Sequence, residues 1–148
     1  MIREAVREDL NCLLELYLSL HEDRIPEQSG HLEKTWNRIL ADPNHHLIVN
    51  EIDGRIVSSC VCVIIPNLTR NVRPYALIEN VVTREEERGK GYATDCLRFA
   101  KEIAVKENCY KMVLLTGSKN PEILRFYESA GYNSSDKTAF VQWLKGTM

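Results

Sequence analysis

A surplus of either charge is missing from this sequence: 21 Asp and Glu face 19 Lys and Arg, a formal net charge of −2 at pH 7. Capture of nucleic acid over a broad surface needs an excess of Lys and Arg, so a nucleic-acid partner is excluded and any anion site must be local. No apolar run approaches the roughly 20 residues of a membrane span, and Met1-Ile2-Arg3-Glu4-Ala5 contains no signal-peptide h-region. No membrane partner is expected. Cys12, Cys60, Cys62, Cys96 and Cys109 are odd in number and offer no Cys-x-x-Cys pair with a second pair downstream, so no metal is expected. Each lies among apolar neighbours and reads as a reduced, buried small hydrophobe, which points to a cytoplasmic location. Linkers and repeats are also missing, and one domain over residues 1–148 is expected.

What is present is a chain of 148 residues, 44% of them hydrophobic, long enough to bury roughly two-thirds of its unfolded surface without staples. The elements alternate. Residues 2–6 read as a short strand, and Asp9 as the N-cap of a helix through Leu20 with Leu10, Leu13, Leu14, Tyr17 and Leu18 on one face. A second helix covers Leu32 to Leu40. His46 to Ile52 and Arg55 to Ile65 read as strands joined by the hairpin turn Asp53-Gly54. Tyr75 to Thr83 is the next strand, after a polar loop bracketed by Pro66 and Pro74. An amphipathic helix follows, with Ala93, Cys96, Leu97, Ala100, Ile103 and Ala104 on its apolar face. Lys111 to Thr116 reads as a buried strand parallel to its neighbour. Asn120-Pro121 opens a helix that stops at Gly131, and Lys137 to Leu144 reads as a closing strand. The fold class is α/β, an α+β arrangement with a central mixed sheet flanked by about four helices.

The chemistry concentrates between residues 79 and 94. Thr83 to Ala93 leaves a strand, crosses a loop holding Arg88, Gly89, Lys90 and Gly91, and opens a helix. Glycines there allow left-handed backbone and close ligand approach, while a helix start adds unpaired N–H donors and a positive dipole end. The segment reads either as an oxyanion or phosphate cradle reinforced by its two cations, or as a glycine-containing turn among charges. Gly-Lys-Ser/Thr is missing, and the dinucleotide fingerprint would need a glycine where Thr94 stands, so neither common phosphate motif fits.

Arg88, Gly91 and Ala93, with Asn120, Phe126-Tyr127-Glu128 and Ala130-Gly131-Tyr132 downstream, resemble the two motifs of the GNAT superfamily of acetyl-CoA-dependent N-acetyltransferases. The order of elements resembles that family over nearly the whole chain. The resemblance implies a GNAT-like fold with a splayed sheet and acetyl-CoA as co-substrate. It implies that the N–H groups of Arg88, Gly89, Lys90, Gly91, Tyr92, Ala93 and Thr94 bind the coenzyme pyrophosphate, and that Val81 and Thr83 pair with the pantetheine arm. Asn120 would cap its helix and touch the coenzyme. A homodimer is common in the superfamily, though no stripe in this sequence marks an interface. Glu85-Glu86-Glu87 departs from the family's usual proline-containing loop, and a charge run beside an anion site is expected to face solvent.

An amine acceptor, with a pKa near 10.4 when lysine-like, must lose a proton before attack, and the leaving thiolate, about 8.5 for a simple thiol, benefits from gaining one. Glu79, an acid within Ala76-Leu77-Ile78-Glu79-Asn80-Val81-Val82, reads either as the general base through a water or as a polar residue on a solvated face. Tyr127 reads either as core at helical spacing or, from the resemblance, as the general acid beside the coenzyme sulfur. The resemblance places the acceptor between residues 20–24 and 67–75. Ile78-Glu79-Asn80-Val81-Val82 and Cys109-Tyr110-Lys111-Met112 are similar to the branch that acetylates glucosamine 6-phosphate, in which case Arg70, Arg73 and Lys111 would serve a sugar phosphate. His21, His45 and His46 read as solvated surface residues. A small-molecule primary amine is the expected acceptor. The alternatives are a peptide or protein amine and a noncatalytic acyl-CoA-sensing module. A nucleotide-binding regulatory domain is disfavoured by the missing motifs.

Overall fold

The structure, a computed structural model, describes residues 1–20 and 22–146. Contacts divide the chain into two units, Met1–Leu114 and Leu115–Met148. In the first, β1 (Ile2–Glu4), β2 (His45–Ile52), β3 (Arg55–Ile65) and β4 (Tyr75–Thr83) pair antiparallel in chain order, and β5 (Met112–Leu114) runs parallel beside β4. The β2–β3 turn forms as the sequence implies, with φ of 50° at Asp53 and 77° at Gly54, the left-handed pair that a two-residue hairpin needs.

Alternation along β2 and β3 divides the side chains between two layers. On one face, Leu13 and Leu16 of α1 (Leu10–Tyr17) and Trp36 of α2 (Gly30–Ala41) pack on Leu47, Val49, Val61 and Val82. On the other lies α4 (Tyr92–Lys106), where Cys96 Sγ donates to Ser58 Oγ at 3.8 Å and Cys60 Sγ to the Cys96 carbonyl at 3.7 Å. Cys60, Cys62 and Cys96 are buried, and Cys12 and Cys109 half-buried, all as free thiols. The short α3 (Thr69–Val72) is a left-handed turn, with φ of 54°, 62° and 62° at Arg70, Asn71 and Val72. A left-handed valine is strained. Asn67 holds the turn by donating from Nδ2 to the carbonyls of Thr69 (3.0 Å) and Arg73 (3.1 Å).

In the second unit, α5 (Pro121–Ser129) starts where Asn120 Oδ1 accepts the Glu122 N–H at 2.9 Å. It ends at Gly131 (φ 102°), where the Tyr132 N–H reaches back to the Tyr127 carbonyl at 3.1 Å. No strand forms over residues 137–144, contrary to the sequence reading. Extended propensity there meets no ladder partner among the described residues, and a strand exists only when another edge takes its N–H and C=O groups.

Other expectations change in detail. Asp9 is no side-chain cap: its carboxylate takes Arg3 bidentately at 2.7 and 3.0 Å and the Val6 N–H at 2.8 Å, so it fastens β1 to the turn before α1. Ser29 caps α2 instead, accepting the Leu32 N–H at 3.3 Å. His46 is not simply solvated, since its Nδ1 lies 2.8 Å from Glu4 Oε1 across β1 and β2, and His45 is half-buried. His21 lies outside the described residues. Among the described residues no helix is long and apolar enough to cross a membrane.

Candidate active site

From Arg84 the chain leaves β4, makes a 3-10 turn over Glu85–Glu87 and enters α4 at Tyr92. Gly89 and Gly91 take φ of 78° and 84°, and a Cβ added at either would point into open space. The N–H groups of Gly89, Lys90, Gly91, Tyr92, Ala93 and Thr94 donate to nothing among the described residues, and the first helical bond there is Asp95 N–H to the Gly91 carbonyl at 3.1 Å. Six successive unpaired donors at a helix start, beside two left-handed residues, form a concave positive surface suited to a phosphate.

The charged groups around this cradle are sorted by pairing. Lys90 Nζ is held by Glu87 Oε2 at 2.8 Å, which raises the lysine's pKa, and Arg55 holds Glu86 at 2.8 Å. Arg88 is exposed and has no ion pair among the described residues. Thus Lys90 is engaged by its own loop, Arg88 remains open to an incoming anion, and two of the three consecutive glutamates are neutralised locally.

The position of the cradle is fixed by polar residues that the sequence reading passed over. Buried Asn50 on β2 donates from Nδ2 to the Tyr92 carbonyl at 3.4 Å. Ser58 on β3 donates to the Val82 carbonyl at 2.9 Å and lies 3.0 Å from Thr83 Oγ1. Arg84 Nε donates to the Ile56 carbonyl at 2.8 Å. A polar residue at an inward register position was the available signal at Asn50 and Ser58.

Glu79 pairs with Val61, and Val82 with Ser59, so Asn80 and Val81 together face Cys60. This is a bulge on β4, and Asn80 adopts φ of 51° within it. β5 pairs with β4 over Ala76 to Ile78, so residues 79–83 have no strand on that side among the described residues. The sheet is splayed there, and Val81 and Thr83 lie on its open edge.

Glu79 is exposed and borders an open cavity of about 360 Å³ lined by α1, α2 and strands β2 to β4, with Leu14, Tyr17, Trp36 and Val63 in its wall. Burial pushes the Tyr17 phenol up to about 12, with Cys60 adding to the shift and Ser59 opposing it. Burial also lowers His45, another wall residue. Both are neutral at pH 7.

The basic residues expected near a sugar phosphate gather around residues 108–111, away from the cavity wall. Arg73 spends its guanidinium on the carbonyls of Asn108 (3.1 Å) and Cys109 (3.0 Å). Arg70 lies 5.6 Å and Lys111 5.2 Å from the Tyr110 ring centre, and Lys111 lies 5.0 Å from that of Tyr75. Neither cation borders the cavity.

Asn120 and Tyr127 belong to the second unit. Asn120 is the cap of α5, and Tyr127 is half-buried with its ring 5.1 Å from Phe126 and 6.5 Å from Tyr132. Among the described residues, no group of three or more His, Cys, Asp and Glu could hold a metal ion.

Residues 10–132 match the model of the acetyltransferase (GNAT) family. A putative acetyltransferase from Agrobacterium tumefaciens is 40% identical, with a TM-score of 0.91 and coverage of 97% of this chain and 99% of that one. Glucosamine 6-phosphate N-acetyltransferase of Trypanosoma brucei brucei is 34% identical over 84 residues, covering 57% of this chain and 55% of the relative. An uncharacterized N-acetyltransferase of Methanocaldococcus jannaschii is 26% identical over 97% of this chain and 64% of its own length. The chain thus spans a little over half to about two-thirds of the length of these curated relatives. A mixed sheet splayed beside a glycine cradle and a family match over both units lead to one assignment: the chain belongs to the GNAT acetyltransferase family.

Proposed function

We propose that this chain is an acetyl-CoA-dependent N-acetyltransferase that moves an acetyl group directly to the primary amine of a small molecule. The carrying observation is the row of unpaired N–H groups from Gly89 to Thr94 at the start of α4. Backbone donors there, with the open Arg88, fit the pyrophosphate of the co-substrate. The free edge of β4 at Val81 and Thr83 fits its amide-bearing arm, and Asn120 is assigned a contact from α5. When bound, acetyl-CoA supplies a thioester carbonyl and a thiolate leaving group.

The chain's own residues then manage two protons. Glu79 accepts the ammonium proton, directly or through one water, so that the amine presents its lone pair. Tyr127 is assigned delivery of a proton to the departing sulfur, supported by its place in the Phe126-Tyr127-Glu128 motif of an Asn-capped helix. The amine nitrogen gains the acyl bond as the sulfur loses it, the second proton shed by that nitrogen passes through solvent to restore Tyr127, and no covalent enzyme intermediate is required.

Residues 1–148 are taken to act as one acetyltransferase domain, since the family match over residues 10–132 runs through both units, and the free thiols support a cytoplasmic location. A narrower acceptor, an amino-sugar phosphate, has the support of the trypanosome relative's name and of Arg70 and Lys111, which carry no ion pair among the described residues.

Thermal unfolding with millimolar acetyl-CoA tests the reading. At a hundredfold excess over Kd, binding adds about 2.7 kcal/mol, a shift on the order of 5–10 °C. Thiol release on adding an amine is then expected. A Tm unmoved by acetyl-CoA but raised by adenine nucleotides overturns the reading, whereas stabilisation without thiol release across all amines leaves a sensing module.

A further inference from the structure

We infer that the acceptor is a primary amine on an apolar body, of arylalkylamine or branched alkylamine type, seated in the cavity that Glu79 borders. The inference rests on the acetyltransferase reading and specifies the substrate class of that same site.

Most of the cavity wall is apolar, and its polar side chains are Tyr17, Thr35, His45, Glu79 and Asn80. Leu14, Trp36, Ile39 and Val63 present carbon, and the Trp36 indole N–H is already spent on the Arg7 carbonyl at 3.2 Å. Among the described residues, the wall holds one carboxylate, Glu79, and no Lys or Arg. With Tyr17 and His45 neutral near pH 7, the single formal charge facing the space is negative. An ammonium group therefore gains attraction beside Glu79, and an apolar body loses water against the apolar wall.

Size sets the scale of the occupant. About 360 Å³ is at the lower end of small-ligand pockets and equals roughly a dozen water volumes of about 30 Å³ each. That suits a ring with a short aminoalkyl chain. The position of the charge also fits the reaction, because Glu79 immediately precedes the bulge at Asn80 and Val81, beside the free edge of β4.

A hexosamine phosphate fits the same walls poorly. A phosphate dianion would meet Glu79 with no Lys or Arg in the wall to offset the repulsion. Arg70 and Lys111 lie with Tyr110 near the start of β4, and Tyr75 is four residues, roughly 13 Å, along the strand from Glu79.

The test is a thiol-release comparison at saturating acetyl-CoA. Its acceptors are 2-phenylethylamine, isoamylamine, glucosamine 6-phosphate and a short peptide with a free N-terminus. Turnover of 2-phenylethylamine is expected to exceed that of glucosamine 6-phosphate by about 100-fold in kcat/KM. The second arm is Thr35→Arg, an exposed wall position where a new cation perturbs no buried contact. It is expected to lower kcat/KM for 2-phenylethylamine about tenfold while leaving the acetyl-CoA Tm shift unchanged.

Glucosamine 6-phosphate or the peptide turned over ahead of both apolar amines overturns the inference. So does turnover of neither apolar amine, or indifference of 2-phenylethylamine to Thr35→Arg. The Tm shift with acetyl-CoA alone separates these results from failure of the acetyltransferase reading, in which that shift vanishes too.

Discussion

Glu79 and Val82 face the same side of the sheet although they stand three residues apart in one strand, because Asn80 and Val81 together occupy the place opposite Cys60. In a regular strand, residues three apart face opposite sides. The bulge thus lets one strand supply Glu79 to the cavity and Val82 to the core beneath α1, while Val81 and Thr83 stay on the free edge.

Asn80 adopts φ of 51° at that bulge, a conformation open to Gly and Asn and costly for a β-branched residue. Asn80→Val is expected to cost about 1–2 kcal/mol in thermal unfolding. Asn80→Gly is expected to stay within about 1 kcal/mol of the parent. A valine variant with unchanged Tm would show that the bulge is not held by its backbone.

Gly91 combines φ of 84° with open space where a Cβ would point. Gly91→Val should cost about 1–2 kcal/mol through backbone strain. Its larger effect should fall on acetyl-CoA, whose stabilisation of the folded state disappears because the side chain occupies the pyrophosphate space. Parallel melts with and without acetyl-CoA separate the two effects, and a retained ligand shift removes Gly91 from the cradle.

Arg88 and Lys90 look equivalent in sequence and differ in structure, since Glu87 holds Lys90 at 2.8 Å. Arg88→Ala is expected to weaken acetyl-CoA binding about tenfold, the worth of one hydrogen bond to a charged group. Lys90→Ala should change Kd by less than about threefold, because an exposed pair contributes little. Isothermal titration of both variants decides, and the reverse ranking would mean that Lys90 leaves Glu87 when ligand binds.

Legibility of the fold followed whether a signal was local. Asp53-Gly54, Asn120-Pro121 and Gly131 carry their geometry in one or two residues, and all three formed as read. The glycine loop was legible for the same reason. Asp9 looked like a cap because a local rule applies to it, but Arg3 in the neighbouring strand competes for its carboxylate with a bidentate ion pair. Asn50 and Ser58 support the cradle from other strands, and no local pattern shows which carbonyl a buried amide or hydroxyl will find. The strand expected over residues 137–144 failed for a related reason, because alternation specifies a face but supplies no partner edge. The bulge was hidden altogether, since Glu79-Asn80-Val81 alternates acceptably until β3 fixes the register.

The Arg3–Asp9 pair makes acid stability testable. Hydrogen bonds from Arg3, with the Val6 N–H adding, hold the Asp9 carboxyl below its ordinary value of 3.8 against the opposing effect of burial. A carboxylate whose folded pKa is depressed contributes stability that is full above the unfolded pKa and is lost as pH falls through the folded one. Chemical unfolding from pH 6 to pH 2 should therefore show a loss below about pH 4. Asp9→Asn is expected to be less stable at pH 6 and to lose less on acidification. An identical acid slope in the variant would assign the loss to other carboxylates.

Glu79 has two readings that pH can tell apart. If it takes the amine proton, Glu79→Gln removes the acceptor of that proton, and kcat should fall by about 10²–10⁴ near neutrality. The deficit should then shrink toward pH 10, because an amine of pKa near 10.4 increasingly arrives deprotonated and needs no base. Loss of ammonium binding alone predicts a different signature: KM rises, kcat is retained, and neutral amine at high pH binds the variant and the parent alike. Both profiles come from one thiol-release series with an acceptor of known pKa, with Tyr127→Phe run alongside as the acid-side control. A variant that keeps the parent's kcat at pH 7 leaves Glu79 as a recognition group, and the proton must then pass to water held by other residues at the β4 bulge.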